Sequence, residues 1–275
     1  MTDIDRKPKI KASQLLLDSG LASSIEKARA LIMEGRVTMG NTIIGKSGEL
    51  IPRDSKIEIT PKSPYVSRGG LKLEGVFSEL DLDASGKLAT DIGSSTGGFT
   101  DFLLKNGAEK ITAIDVGYGL LAWELRKSNR VHILERTNVR HLDIKKLPYK
   151  SDITTVDVSF ISIKKIIKKI LELTKENGDI LLLFKPQFEL QRQEVKNKGI
   201  VKDSILHRKS LKDMARFLKG LPVVIEAITF SRIKGTKGNI EFWIYLRNSI
   251  NSTKSNINYD KIIDDVISNA HIFFQ

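Results

Sequence analysis

Between residue 67 and about residue 248, apolar positions fall into short runs that alternate with helically spaced segments. Runs at 88–92, 110–116, 131–135, 153–158, 179–185, 223–230 and 240–246 are strand-sized and rich in Ile, Leu and Val. Between most of them, residues 97–106, 120–127, 163–175 and 204–219 carry apolar side chains at helical spacing. Strand and helix in alternation predict a doubly wound, Rossmann-like α/β sheet of seven strands. The last two runs are joined by only residues 231–239, too few for a crossover helix, so that edge is expected to be an antiparallel hairpin.

Upstream the pattern is different. Leu15, Leu16 and Leu17 precede Gly20. Ser23 or Ser24 can cap a second helix with Ile25, Ala28, Leu31 and Ile32 on one face, and Gly35 ends it. Short alternating runs come next at 36–39, 42–44 and 56–59, the first two joined by Gly40-Asn41. Pro61 and Pro64 then read as a linker. The expected layout is a small α+β domain at 1–60, a linker at 61–66, the α/β domain at 67–248 and a polar tail at 249–275, in which 259–273 reads as a weak amphipathic helix. The linker runs straight into Ser67-Arg68-Gly69-Gly70-Leu71-Lys72-Leu73, which sets a lysine on what reads as the first apolar face of the new domain.

Charge narrows the partner. The 275 residues carry 45 Lys+Arg against 33 Asp+Glu, a net charge of +12, which favours a polyanion. In the small domain the helix side is basic, with Lys11, Lys27, Arg29 and Arg36 as candidate RNA contacts. A second basic polar stretch holds Arg192, Lys196 and Lys198. There is no cysteine, which removes disulfides, cysteine-ligated metal and every cysteine nucleophile. No signal-like leader or apolar run of spanning length is visible, so a soluble cytoplasmic protein with no membrane partner and no bound metal is expected.

The candidate chemistry starts after the first α/β strand. Asp91 precedes a loop containing Gly93, Ser94, Ser95, Gly97, Gly98 and Phe99, at the carboxyl edge where open α/β sheets bind ligands. Its spacing is neither the dinucleotide Gly-x-Gly-x-x-Gly nor a phosphate loop, and Asp91 would repel a pyrophosphate. A cationic cofactor without phosphates, such as S-adenosylmethionine, suits it. Asp115 ends the next strand, where an acid can accept hydrogen bonds from ribose hydroxyls.

The acceptor is argued separately. Carbon-5 methylation of cytosine in RNA uses a cysteine. Exocyclic-amine methylation usually carries an Asp/Asn-Pro-Pro-aromatic motif after the fourth strand, where this chain reads Asp157-Val158-Ser159-Phe160. An oxygen acceptor is left as the favoured class, and it needs a base or strong polarisation. Asp157 and Lys185 end the fourth and fifth strands, and Glu241 sits near the start of the last, where core residues are expected.

These segments resemble two known families. Gly20-Leu21-Ala22-Ser23, Ala28-Arg29, Leu31-Ile32 and Gly35-Arg36-Val37 resemble the small RNA-binding domain of ribosomal protein four of the small subunit. From about residue 9 to 247 the chain resembles the TlyA family of ribosomal RNA ribose methyltransferases, historically also called haemolysins. The match is carried by Tyr65-Val66-Ser67-Arg68-Gly69-Gly70, Asp91-Ile92-Gly93, Asp115-Val116-Gly117-Tyr118-Gly119, Glu135-Arg136-Thr137-Asn138, Asp157-Val158-Ser159-Phe160, Lys185-Pro186-Gln187-Phe188-Glu189 and Glu241-Phe242. The methyltransferase half resembles the FtsJ class. The resemblance implies a Lys-Asp-Lys-Glu tetrad at Lys72, Asp157, Lys185 and Glu241, with Lys185 activating a ribose 2′-hydroxyl and no metal required. It implies that the glycine loop, Asp115, Val116, Asn138 and Asp157 hold S-adenosylmethionine, and that Arg68 joins the RNA contacts. The implied partner is ribosomal RNA or a ribosomal subunit, with cytidine as acceptor. A membrane-lytic protein and a non-catalytic RNA-binding protein on a methyltransferase scaffold are the competing readings.

Overall fold

The computed structural model describes residues 8–33, 35–40, 42–61, 63–195, 199–235, 237–249 and 258–275. The chain divides into two compact units, Met1–Ser63 and Pro64–Gln275.

In the first unit, helices α1 (Ala12–Asp18) and α2 (Ile25–Met33) accompany five short strands. β1 (Lys9–Lys11) pairs antiparallel with β4 (Leu50–Pro52), a contact that the hydrophobic pattern did not announce. β2 (Val37–Met39) lies between β3 (Thr42–Ile43) and β5 (Ile57–Ile59). Leu16, Ala28, Ile32 and Val37 are at most 1% exposed and form the centre of its core. Lys11, Lys27 and Arg29 are exposed, whereas Arg36 spends its Nε on the Thr60 carbonyl at 3.0 Å.

The second unit begins with α3 (Arg68–Glu79) and then alternates: β6 (Leu88–Ile92), α4 (Gly98–Lys105), β7 (Lys110–Ile114), α5 (Trp123–Arg126), β8 (Val131–Leu134), β9 (Ser151–Val156), α6 (Ile167–Leu173), β10 (Thr174–Phe184), α7 (Pro186–Glu189), α8 (Ser204–Leu218), β11 (Val223–Phe230), β12 (Phe242–Asn248) and α9 (Tyr259–Phe273). The sheet has seven strands in the order β11-β12-β10-β9-β6-β7-β8. The five strands from β10 to β8 are parallel, while β12 runs antiparallel to both β10 and β11, the hairpin edge expected from the short connection. Because β12 runs the other way, its first residues lie beside the last residues of β10, with Phe242 opposite Phe184.

Alternation along β10 splits the core into two layers. Leu181 and Leu183 face α3 and α4 through Leu73, Phe99 and Leu103. Ile180, Leu182 and Phe184 face α6, α8 and α9 through Ile170, Leu211 and Ile263. Two boundaries therefore move. Tyr65 and Val66, assigned to the linker, pack on the first layer. Residues 259–273, expected as a weak amphipathic helix within a polar tail, form that helix but belong to the domain, with Tyr259, Ile263, Ile267 and Ala270 buried in the second layer. Their spacing of about four residues makes one apolar stripe, which covers α8 and β11. No described helix is long and apolar enough to cross a membrane.

Candidate active site

β6 delivers the chain to a tight turn. Gly93 takes φ +81°, and a Cβ there would run into the Asp157 carbonyl. Gly97, at φ +95°, precedes α4, and a Cβ would meet Leu125. Gly98 packs against the start of α3, where a Cβ would strike Ser67 Oγ and come within 2.9 Å of Gly70 N. Gly70 in turn is covered by the Tyr65 ring. The seam glycines thus let α3 and α4 meet backbone to backbone, and this places Lys72 one turn further into α3 beside the cofactor loop.

Asp91 is fully buried. Its carboxylate accepts from Thr100 Oγ1 at 2.7 Å and from Thr155 Oγ1 at 3.1 Å. Burial pushes its pKa up to about 7; the two threonine hydroxyls pull it back, and the charge of Asp157 adds to the rise. Asp115 accepts from the backbone N–H groups of Ser95 at 2.8 Å and Gly117 at 2.6 Å, so it orders the cofactor loop as well as facing the cleft. Asn138 Oδ1 accepts from Arg140 N at 3.1 Å and holds the turn that it begins.

Two cavities open around Gly93, Ser95 and Asp157, which line both. One, of ≈ 570 Å³, has Ile114, Val116, Val139 and Val158 as apolar walls with Asp115 and Asn138 as polar ends. The other, of ≈ 380 Å³, is lined by Asp91, Ser94, Gly98, Phe99 and Lys72, with Arg68 and Lys234 also in its wall. An apolar slot ending in a carboxylate fits a nucleoside, the polar chamber fits an amino-acid group, and the buried Asp91 carboxylate fits a cation. The residues present therefore suit S-adenosylmethionine. All eleven residues that the sequence suggested for the cofactor line one or other cavity, apart from Gly97, which shapes the turn.

A third cavity, of ≈ 280 Å³, contains Lys185, Glu241, Ser159, Phe160, Phe188 and Asn239 in its wall. The four charged residues of the expected tetrad form two ion pairs. Lys185 Nζ lies 2.5 Å from Asp157 Oδ1 and 3.2 Å from Ser159 Oγ. Lys72 Nζ lies 2.6 Å from Glu241 Oε2, with side chains 11% and 5% exposed. Asp157 reaches the cofactor cavities and Lys185 the third one, so the first pair spans the boundary between them. Gly235 makes room for the second pair, since a Cβ there would collide with the Glu241 carboxylate.

The basic positions divide. Arg68 is exposed, lines the ≈ 380 Å³ cavity and donates through Nη2 to the Lys234 carbonyl at 3.0 Å. Arg192 is exposed on a turn, while Lys196 and Lys198 lie outside the described residues. Sequence reading gave no role to Lys234, Lys237 or Asn239, which line the cavities from the β11–β12 connection. The signal available was three charged or polar side chains beside Gly235 and Gly238. Among the described residues no group of three or more His, Asp or Glu side chains is placed to hold a metal ion.

A seven-stranded sheet with its last strand reversed, a glycine turn at the carboxyl edge of β6 and an acid after β7 define a nucleoside-cofactor methyltransferase domain. Residues 65–248 match the FtsJ-like methyltransferase family, and the chain belongs to that family. It is 43% identical over 237 residues to YqxC of Bacillus subtilis, covering 84% of this chain and 83% of that one; the relative is provisionally named an rRNA methyltransferase. It is 35% identical over 234 residues to the 16S/23S rRNA (cytidine-2′-O)-methyltransferase TlyA of Mycobacterium tuberculosis, covering 84% and 87%. A solved structure from Streptococcus thermophilus, provisionally described as a hemolysin, superposes with a TM-score of 0.77 at 34% identity and covers 98% of both chains.

Proposed function

We propose that this protein transfers a methyl group from S-adenosylmethionine to a ribose 2′-hydroxyl of ribosomal RNA, with cytidine as the acceptor nucleoside. The observation that carries the reading is the Lys185–Asp157 pair, set between the cofactor cavities and the pocket of Phe160 and Phe188. The names of the relatives support the RNA substrate.

S-adenosylmethionine supplies an electrophilic methyl group on a sulfonium. Asp115 would hold the ribose hydroxyls and Val116 and Asn138 would border the base, while Gly93, Ser95 and Asp157 line both cavities. Lys185 Nζ, having first lost a proton to solvent so that it stands as the neutral amine, orients the acceptor oxygen and takes the hydroxyl proton as the O–methyl bond forms and the methyl's bond to sulfur breaks. The cationic charge thereby passes to the Lys185 ammonium, which Asp157 stabilises at 2.5 Å. Such positioned proton transfer contributes about 10²–10⁴-fold. Lys72, in the wall of the ≈ 380 Å³ cavity, and Glu241, in the wall of the third, neutralise one another and fix the local field. Lys11, Lys27 and Arg29 of the small domain, and separately Arg68 and Arg192 of the methyltransferase domain, contact RNA phosphates, and the sequence assigns Lys196 and Lys198 to the same task.

The test is to incubate purified ribosomal subunits with labelled cofactor and map ribose methylation by the resistance of the RNA to alkaline cleavage. Label that appears on a base, or none with either subunit, overturns the proposal.

A further inference from the structure

We infer that Glu189 is a positioning residue for the reaction, clasping the loop after β9 to the turn after β10 and so fixing Asp157 against Lys185. The inference rests on the proposed role of that pair.

Asp157 and Lys185 sit at the ends of neighbouring strands, but the segment beyond each strand end is irregular. The loop after β9 is anchored at its start by Asp157 N, which donates to the Ile92 carbonyl at 2.9 Å. It then passes through Phe160, whose φ is +64° and which is exposed. A side-chain-bearing residue in the left-handed region is strained, and such a conformation persists only where its surroundings over-determine it. The far end of the loop has to be held.

Glu189 holds it. Its Oε2 accepts from Ser162 Oγ at 2.6 Å and its Oε1 from Ile163 N at 2.7 Å. Ser162 Oγ accepts in turn from Lys164 N at 3.2 Å and starts the 3-10 turn Ile163–Lys165. Both carboxylate oxygens are thus used on one loop. Glu189 lies in α7, directly after Lys185, and the turn is closed by Phe188 N to Lys185 O at 2.9 Å and Leu190 N to Pro186 O at 3.0 Å. Between clasp and ion pair the two segments also touch through the Phe160 and Phe188 rings, with centroids 5.2 Å apart. Releasing Glu189 frees the loop to relax Phe160, which carries Ser159 and Asp157 away from Lys185. Burial pushes the Glu189 carboxyl up from its ordinary value, against the two donors, as for a group enclosed by the loop that it holds.

The test compares wild type, Glu189→Gln, Glu189→Ala and Ser162→Ala by three readouts: kcat for ribosomal RNA methylation, calorimetric affinity for S-adenosylhomocysteine, and labelling of Lys185 by a small amine-reactive reagent, read by peptide mass spectrometry. Glu189→Ala should lower kcat by about 10- to 100-fold, the cost of a displacement of order 1 Å. Its S-adenosylhomocysteine affinity should stay within about threefold, because the lost contacts are not cofactor contacts. Lys185 labelling should change. Glu189→Gln should keep kcat and labelling near wild type, since its amide can accept from Ile163 N and donate to Ser162 Oγ. Ser162→Ala should fall between the two. A Glu189→Ala protein that keeps kcat and Lys185 labelling, even with reduced heat stability, overturns the inference. Should Glu189→Ala not fold, unchanged kcat and labelling in Ser162→Ala overturn it instead. Should wild type methylate no RNA, the proposed function fails while the labelling comparison still reads the clasp.

Discussion

Lys185 and Asp157 meet at 2.5 Å across the carboxyl ends of two adjacent parallel strands, and Ser159 stands 3.2 Å from the same ammonium. The lysine is held from one side and open to a pocket on the other. Replacing Lys185 by alanine should lower ribose methylation by about 10²–10⁴-fold. Affinity for S-adenosylhomocysteine, followed by calorimetry, should change little. Methylation near the wild-type rate in Lys185→Ala would reject this lysine as the base.

Lys72 and Glu241 form a second pair of a different kind, because both side chains are almost wholly enclosed. Truncating one leaves the other charged without a partner. Lys72→Ala should destabilise the fold by about 3–5 kcal/mol, the usual cost of breaking a buried pair from one side. Removing both charges with apolar residues of similar volume should cost less than the sum of the single changes. Urea midpoints for the two single variants and the double variant give the comparison.

Asp91 makes stability depend on pH. Its folded pKa of about 7 lies above the ordinary 3.8, so the folded state holds this proton more tightly than the unfolded state does. Its contribution is fully present below pH 3.8 and is lost as pH rises through 7. Asp91→Asn cannot ionise and should remove that slope. Relative to wild type, the variant should gain stability between pH 5 and pH 8, read from urea midpoints at those two values. A difference that is flat with pH would contradict the buried-acid account.

Gly98→Ala introduces a methyl group where α3 and α4 are in backbone contact. Neither Gly70 N nor Gly69 Cα can yield as a side-chain tip can. The helices should separate, moving the cofactor loop away from Lys72. Cofactor affinity is expected to fall by about tenfold or more, roughly 1.4 kcal/mol. Gly75→Ala, on the partner helix α3, is the control, since nothing lies within 4 Å of its added Cβ.

The sequence exposed the sheet because its central strands are buried on both faces: β10 ends in the unbroken apolar run 180–184, and β6, β7 and β9 set Ile, Val, Leu and Ala among threonines. It exposed the charged positions for the same reason: Asp157, Lys185 and Glu241 interrupt runs that are otherwise core. The pairing was less legible. The four positions did not say which carboxylate meets which lysine; the register of β12 on β10 sets Glu241 against Lys72 and leaves Asp157 to Lys185. Residues 120–127 read as a helix, but only Trp123–Arg126 form one, because the chain first turns at Gly119 with φ +70°. The C-terminal helix carried a visible stripe without a visible partner. What it covers is set by α8 and β11, far away in sequence. The role of Glu189 was hidden because a short-range motif shows neither loop closure nor strain.

The reversal of β12 has a temporal side. Glu241 enters the site only because the penultimate connection turns the last strand back along β10, and its partner Lys72 lies on the first helix of the domain. The charge set is thus closed by contacts between the two ends of the methyltransferase sequence, among the slowest kind to form. A partly synthesised chain can shape the glycine turn and its acid long before the second ion pair exists. The proposed charge set is therefore complete only once that single strand is in place.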